Sequence, residues 1–397
     1  MSRTRIVFFV IVALAVITVV GALIWQSVSS PADDMLALPD APDTLEVRVV
    51  CSLPVEPWVQ EAARQFNAGK RELEGIPIKV TIIPMDGWTA KGRLERGEMD
   101  PLPMAWIPEN RHLVDLVNVT YKERLGRDVF LTDGEYRARP IAVSLLAWGI
   151  YESRAKVLET AYGEITWQAI HDAAMLPGGW KEIGGEDDWL FFKLAISNPR
   201  KNISGLEAII AAAGEYFDTT AIGADQVGSA DFQAWMKEIL SSMSDLSGGA
   251  YTVSDLALFG YSTGDAGQLL ESDLLTNMAG IQTRWADPLR IYYPKYVTWF
   301  DFPFTVWMGP ETSALEKNAA LEFEKFLLSE QMQQDALVRG LRPVNPDVPL
   351  DATGSLFVQW QDQGVMLVVP RTTRMRSPDR DTLVGLLQWF DRNIAGR

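Results

Sequence analysis

Residues 45–84 read LEVRVVCSLPVEPWVQEAARQFNAGKRELEGIPIKVTIIP, and this stretch decides the fold class. Its first part, 45–52, is rich in β-branched residues and predicts a strand. Pro57 fits the first turn of a helix. The residues after it have the i, i+3, i+4, i+7 spacing of a helix buried on one side: Val59, Ala62, Ala63 and Phe66. A second predicted strand at 76–84 completes a strand–helix–strand unit, which is typical of a parallel α/β sheet.

The alternation of strands and helices continues outward from this unit. A helix is predicted at 88–96 and a short strand at 104–108. The segment that follows is mainly helical, with predicted helices at 166–175, 205–217, 230–243 and 266–277. Two long strand-like runs, 139–150 and 291–308, flank this helical segment. We expect the chain to cross between two lobes and back within these runs, which would form a cleft with a hinge.

The composition of the 397-residue chain excludes several classes of function. Hydrophobic residues make up 47% and charged residues 22%, which is typical of a globular protein with two or more domains. The formal net charge of −16 argues against nucleic-acid binding, which needs a basic surface. A single cysteine, Cys51, excludes an intramolecular disulfide and a cysteine-rich metal site. The two histidines, His112 and His171, are far apart in sequence, so we expect no metal site. The sequence also contains no Walker loop and no G-x-G-x-x-G motif, so we expect no nucleotide cofactor.

The N-terminus has the features of a membrane anchor. From Ile6 to Trp25 the sequence holds twenty residues without a charge, enough to span about 30 Å of bilayer as a helix. Two arginines precede this run and two aspartates follow it, which predicts a cytoplasmic N-terminus and an extracytoplasmic remainder. A cleavable signal peptide is the alternative, but its apolar region is usually shorter. We therefore expect an uncleaved single-pass anchor at 1–30 and a tether at 31–44.

One motif has the form of an enzyme signature. GYSTG at 260–264 matches the G-x-S-x-G turn of α/β-hydrolases, which places a nucleophilic serine between a strand and a helix. The triad of that fold needs a histidine after the serine, and none follows Ser262. We expect no catalysis. Instead, Ser262 and Thr263 are predicted to open a helix whose free N–H groups point at a ligand, and Ser204 has the same expected role.

Several stretches together resemble one protein family. The stretches are VCSLPVEPWVQEAARQFN (50–67), MAWIPENRHLVDLVN (104–118), FFKLAISNPRKNISGLEAII (191–210), FGYSTG (259–264), YYPKYVTWFDFPFTVW (292–307) and FEKFLLSEQMQQDALVRGLRPVNPDVPLD (323–351). In order and spacing they resemble bacterial extracellular solute-binding proteins of the type 2 periplasmic-binding fold. The last stretch is the most telling, because in this family such a helix is followed by a glycine and an R-P-x-N-P segment.

The most similar group within this family is membrane-anchored, and its members often carry a von Willebrand factor A domain. This sequence contains no D-x-S-x-S metal motif, so we expect that domain to be absent. The anchor also differs from the lipobox cysteine of many binding proteins.

The resemblance implies two α/β lobes that close on a solute, without catalysis or cofactor. It places the first lobe at 45–139 plus 298–397 and the second at 140–297. Carried onto this sequence, it implies ligand contacts from Ser52, Leu53, Trp106, Pro108, Glu109, Asn198, Asn202, Ser204, Ser262, Thr263, Tyr293 and Trp299.

The resulting hypothesis is a membrane-tethered extracellular receptor that captures a small solute for an ABC-type importer. Helix N-termini favour an oxyanion, whereas tryptophans near strand ends favour a sugar-like solute. Those tryptophans are equally compatible with core packing. The alternative function is a cell-surface sensor or interaction protein on the same fold with a degenerate cleft.

Overall fold

The computed structural model describes residues 42–244, 253–370 and 373–395. The predicted anchor from Ile6 to Trp25 lies outside the described residues, as does nearly all of the predicted tether. Within the described ranges, no helix combines the length and the apolar character that a bilayer span requires.

The first sheet is built from the α/β units at the start of the described chain. Its strands lie in the order β2-β3-β1-β4-β11-β5, and their bounds are β1 Leu45–Cys51, β2 Glu72–Leu73, β3 Ile76–Pro84, β4 Ala105–Ile107, β5 Arg139–Pro140 and β11 Pro303–Val306. β1 pairs in parallel with both β3 and β4, while β11 runs antiparallel to β4. The connecting helices are α1 Glu56–Ala68, α2 Gly87–Arg96 and α3 Arg111–Leu125. The predicted parallel arrangement with crossover helices is therefore confirmed for β3, β1 and β4, whereas the sheet as a whole is mixed because β2, β11 and β5 pair antiparallel.

The second sheet is organised around one long strand. This strand is β6 (Ala142–Tyr151), and all ten of its residues are buried, as its uninterrupted apolar sequence predicts. The other strands are β7 Leu194–Ala195, β8 Ala266–Leu270, β9 Leu289–Tyr292, β10 Trp299–Phe300 and β12 Arg342–Pro343. The helices of this half are α4 Glu152–Tyr162, α5 Trp167–Ala174, α6 Ile203–Tyr216, α7 Ala224–Val227, α8 Ala230–Ser241, α9 Val253–Phe259 and α10 Glu271–Arg284.

One predicted helix is wrong in a way that changes the site. The helix predicted at 266–277 is in fact strand β8 followed by helix α10. All five residues of β8 are buried between β6 and β7, and a short apolar run of this kind carries no periodicity that distinguishes strand from helix. Helix α9 precedes the GYSTG motif and a strand follows it, so the strand–serine–helix order of a hydrolase is reversed.

The chain passes from one sheet to the other within both of the runs that are predicted to cross between lobes. The run 139–150 divides at Ile141, with β5 in the first sheet and β6 in the second. The run 291–308 divides at Asp301 and Phe302, with β10 in the second sheet and β11 in the first. The two crossings lie side by side, because the Ile141 amide donates a hydrogen bond to the Phe302 carbonyl (3.3 Å).

The C-terminal part of the chain departs from the expected division into lobes. Helices α11 (Ala314–Leu327) and α12 (Glu330–Leu337) pack on the first lobe, where the Trp58 indole donates to the Met332 carbonyl at 2.9 Å. The chain then crosses a third time, and β12 pairs with β6. Helix α13 (Leu356–Gln359) packs against α10, and helix α14 (Arg380–Phe390) packs against α7, so both lie with helices of the second half.

A buried ion pair explains why the segment from 342 onward belongs with the second lobe. Two guanidinium nitrogens of Arg342 lie 2.7 and 2.6 Å from the carboxylate oxygens of Glu271, which is 0% exposed. The same guanidinium donates to the carbonyls of Met366 and Leu367. Arg342, the first residue of the R-P-x-N-P segment, therefore links the C-terminal part of the chain to α10. From the sequence alone, this part of the chain is expected in the first lobe.

Candidate functional site

A cavity of about 310 Å³ lies between the two lobes. Its walls are the loops after β1, β3 and β4 on one side, and α6, α9, β8 and α10 on the other. The lining residues are Leu53, Pro54, Asp86, Glu109, Asn202, Ser204, Val253, Ser254, Leu269, Leu270, Asp273, Asn277 and Phe300. Because β1, β3 and β4 are parallel, their carboxyl ends meet at one edge of the sheet, where α/β proteins bind ligands.

Glu109 is the most unusual side chain of the cavity. Its Oε1 atom accepts a hydrogen bond from the Gly87 amide (3.0 Å) at the start of α2. Its Oε2 atom is buried and has no hydrogen-bond partner in the part of the chain that the structure describes. Burial raises the pKa of Glu109 to about 7, and the negative charge of Asp86 adds to this effect. A carboxylate held in this way is poised to accept a hydrogen bond or an ion pair from a bound molecule.

Two further carboxylates line the same cavity. Asp86 caps helix α2, because its Oδ1 atom accepts the Thr89 amide at 3.0 Å. Asp273 lies in the first turn of α10, and burial raises its pKa to about 6. No lysine, arginine or histidine occurs among the lining residues that the structure describes. The cavity is therefore acidic on the sides of both lobes.

The N-terminus of α6 does not form the predicted anion site. Asn202, and not Ser204, is the cap of this helix. The Asn202 Oδ1 atom accepts both the Ser204 amide (2.8 Å) and the Ser204 hydroxyl (2.7 Å). The Gly205 amide donates to the Asn202 carbonyl (3.2 Å). These donors are already used within the chain, so the helix end offers little to an oxyanion.

The structure places four of the twelve sequence-predicted site residues on the cavity: Leu53, Glu109, Asn202 and Ser204. Three others are buried within the first lobe: Ser52, Trp106 and Pro108. The Trp106 ring contacts Phe130, with 5.6 Å between centroids, so this tryptophan belongs to the core. Asn198 is buried before α6, where its Oδ1 atom accepts the Arg200 amide at 2.8 Å.

The remaining four predicted residues lie away from the cavity lining. The Ser262 side chain is exposed and donates to the Phe259 carbonyl (2.7 Å), while Thr263 donates to the Asp255 carbonyl (3.2 Å). Tyr293 donates its hydroxyl to Glu271, beside the ion pair with Arg342. Trp299 lies beneath the Arg374 guanidinium, 4.9 Å from the ring centroid. These side chains support the fold around the cavity.

Sequence reasoning missed the residues that make the cavity acidic. Asp86 follows β3 just as Leu53 follows β1 and Glu109 follows β4, so its place directly after a strand is a signal that could have found it. Asp273 and Asn277 were not predicted, because the incorrect helix at 266–277 did not show that α10 begins at Glu271. Phe300 lies in β10, at the second crossing between the lobes. Nothing in the sequence of this strand indicates that Phe300 lines a cavity. The other missed residues are Pro54, Val253, Ser254, Leu269 and Leu270.

Both histidines pair with acidic residues in the described part of the chain. His112 is paired with Glu207, and His171 is paired with Asp172 and Glu238. Neither histidine contacts Ser262 among the described hydrogen bonds. In the described ranges, no group of three or more histidine, cysteine, aspartate or glutamate residues is arranged to hold a metal ion.

Comparison with known proteins identifies the fold. No protein-family model matches the chain, and no curated protein matches it. A Streptococcus pneumoniae solute-binding protein in complex with the blood group A-trisaccharide is similar, at 14% identity and a TM-score of 0.56, over 88% of this chain and 98% of that one. A ferric binding protein from Campylobacter jejuni is similar at 13% identity and a TM-score of 0.53, over 88% and 97%.

A third similar structure is a periplasmic binding protein from Actinobacillus pleuropneumoniae with fructose-6-phosphate bound. It has 16% identity and a TM-score of 0.52, over 88% of this chain and 97% of that one. The chain therefore has the two-lobed type 2 fold of periplasmic solute-binding proteins.

Proposed function

We propose that this protein is an extracytoplasmic receptor that captures a small solute between its lobes and delivers it to an ABC-type importer. The observation that carries the proposal is the interlobe cavity, which lies at the carboxyl ends of parallel strands and is lined by Glu109, whose buried Oε2 atom has no hydrogen-bond partner among the described residues. The fold supports the same interpretation, because similar structures are solute-binding proteins. A ligand that contacts both lobes would favour the closed arrangement, since some of its contacts form only there.

The proposal includes a membrane tether. The apolar run from Ile6 to Trp25 would hold the receptor at the cell membrane, with its N-terminus in the cytoplasm. Tethering keeps a receptor near its permease and raises its effective concentration there. Full-length protein should remain with the membrane fraction after an alkaline carbonate wash, and a variant without residues 1–30 should appear in the soluble fraction. Full-length protein in the soluble fraction would contradict the tether.

The experiment that tests the receptor function is a thermal-shift screen of the full chain in detergent. The panel contains amines, sugars, amino acids, oxyanions and metal ions. A solute at 100 times its dissociation constant adds about 2.7 kcal/mol to the free energy of unfolding, which raises the melting temperature by several degrees. A shift with one chemical class supports the receptor. No shift with any class, from folded protein free of co-purified ligand, would favour the cell-surface interaction protein.

A further inference from the structure

We propose that the cavity selects a small organic cation, such as a protonated amine or a quaternary ammonium, which Asp86 and Glu109 of the first lobe and Asp273 of the second hold together. This inference rests on the proposed receptor function and names the substrate class of its cavity.

Glu109 supplies the strongest argument for a cation. The residue is 6% exposed, and its Oε2 atom has no partner within the described chain. A buried ionised carboxylate is costly unless an opposite charge or hydrogen-bond donors compensate it. A neutral sugar would supply donors only, whereas a cation supplies both the charge and, if it is an amine, the donors.

The side chain of Glu109 is also held in place. The Gly87 amide fixes its Oε1 atom, and a Cβ atom at Gly87 would lie 1.9 Å from Oε2. Glycine at the start of α2 therefore provides the space that this carboxylate occupies. Such a fixed position is expected of a group that contacts a ligand, because preorganisation lowers the cost of binding.

The second lobe contributes a carboxylate of the same kind. Asp273 lines the cavity from α10, opposite the loops of the first lobe that carry Asp86 and Glu109. Three negative groups without a neighbouring lysine, arginine or histidine among the described lining repel an anion and attract a cation. A cation between the lobes reduces this repulsion and thereby favours closure.

The remaining lining indicates an organic molecule of modest size. Apolar side chains cover part of the wall, including Leu53, Leu269, Leu270 and Phe300. A volume of about 310 Å³ is at the small end of the range for ligand cavities. The acidic groups of the described residues do not form a cluster that would hold a bare metal ion. An alkyl amine or a quaternary ammonium satisfies both the apolar and the acidic parts of this lining.

The test measures binding of matched probes to the full chain by calorimetry at pH 8. The cations are butylamine, 1,4-diaminobutane and choline, and the neutral controls are butanol, 1,4-butanediol and glucose, with sulfate as the anion. We expect at least one cation to bind and its neutral counterpart not to bind. Glu109→Gln and Asp273→Asn should each weaken binding of that cation at least about tenfold, because each removes a charged partner. Glu98→Gln, an exposed acid of the same lobe, should leave binding unchanged.

The outcomes separate this inference from the receptor function. Binding of a sugar or sulfate, with no binding of any cation, would overturn the inference and retain the receptor. A cation that binds equally well to Glu109→Gln and Asp273→Asn would also overturn it, because the cavity would not be the site. No binding of any probe would overturn the inference, and the wider thermal-shift panel would then decide the receptor function. Circular dichroism confirms that each variant is folded, and removal of a buried charge favours folding of these two.

Discussion

Glu109 should make the stability of the free protein depend on pH. Burial raises its pKa from 4.5 to about 7 in the folded protein, so between these values the unfolded chain loses its proton first. The free energy of unfolding should therefore fall as the pH rises through this window, by about 3 kcal/mol from this residue. Glu109→Gln lacks the effect. Its stability relative to the wild type should increase from pH 4 to pH 8 in urea unfolding, and a difference that stays constant over that range would contradict the prediction.

Gly87 should matter for both stability and binding. Gly87→Ala places a Cβ atom against the Glu109 carboxylate and also 2.4 Å from Leu113 Cδ1, so the side chains must move. We expect a loss of about 1–3 kcal/mol in the free energy of unfolding, together with weaker solute binding. Gly92→Ala, in the same helix, meets only the flexible end of Arg96 at 3.1 Å and should be neutral or stabilising. If both substitutions change the free energy of unfolding in urea by the same amount, the prediction that Gly87 is needed to make space for Glu109 is wrong.

At the residue scale, the sequence could identify a strand-end position but not its surroundings. Leu53 and Glu109 were implied by the family resemblance, and each follows a strand, β1 and β4 respectively. Asp86 follows β3 in the same manner, yet in a chain with 52 acidic residues nothing local distinguishes it. The pKa of such a carboxyl depends on burial, which is a property of the folded molecule.

The contact between helices α3 and α6 joins the two lobes through a titratable pair. The Nδ1 atom of His112 lies 2.5 Å from Oε1 of Glu207, which also accepts from Asn110 Nδ2 at 2.7 Å. Burial lowers the pKa of His112, but attraction to Glu207 and their hydrogen bond outweigh it, so the pKa is raised overall. The negative charges of Asp115 and Asp301 also raise the pKa of His112. Charged His112 therefore stabilises the contact between the lobes.

His112→Gln tests this contact. A raised histidine pKa contributes stability that is fully present below about pH 6.5 and is lost as the pH rises through the pKa of the folded protein. The variant should lose about 1–3 kcal/mol at pH 6 and less at pH 9, as measured by urea unfolding. Glu207→Gln should remove the same pH-dependent part of the free energy of unfolding. If the free energy of unfolding of either variant differs from that of the wild type by the same amount at both pH values, the pair of His112 and Glu207 does not cause the pH dependence.

At the element scale, the sequence was reliable where one periodicity dominated. Helix α1 buries the predicted stripe, including Val59 and Phe66, because its polar and apolar residues alternate with the helical period. Strand β8 was mistaken for a helix because all five of its residues are buried and its sequence has no strand periodicity, so only pairing with β6 and β7 decides its conformation. The segment from Arg342 onward was assigned to the wrong side because its partner, Glu271, is distant in sequence.

Gln333 connects the first and third chain crossings between the lobes. Its side chain is 0% exposed, and its Nε2 atom donates to the carbonyls of Ile141 (2.7 Å) and Leu327 (2.9 Å). Its Oε1 atom accepts the amides of Val344 (2.7 Å) and Asn345 (3.2 Å). One side chain thus joins the first crossing to the third, which fixes how the two lobes meet.

Gln333→Leu should destabilise the whole molecule. The substitution leaves several buried backbone groups without partners, and each such group costs about 1–3 kcal/mol. We expect a loss of at least about 3 kcal/mol in the free energy of unfolding by urea. Gln334→Leu is the matched control, because Gln334 is exposed and bonds only to Glu330 within the described chain. The control should change stability by less than about 0.5 kcal/mol. A similar change in both variants would argue against a role for Gln333 at the crossings.

The sequence by itself determined the α/β class, the first strand–helix–strand unit and the two runs in which the chain crosses between lobes. These features depend on local periodicity and on apolar runs that are too long for one strand. Both signals can be recognised within a short stretch of sequence. Only the tertiary structure decided that Asp86, Glu109 and Asp273 share one cavity and that Trp106 and Tyr293 do not reach it. The physical reason is that these three carboxylates come from distant segments, which meet only after the chain has crossed between its lobes.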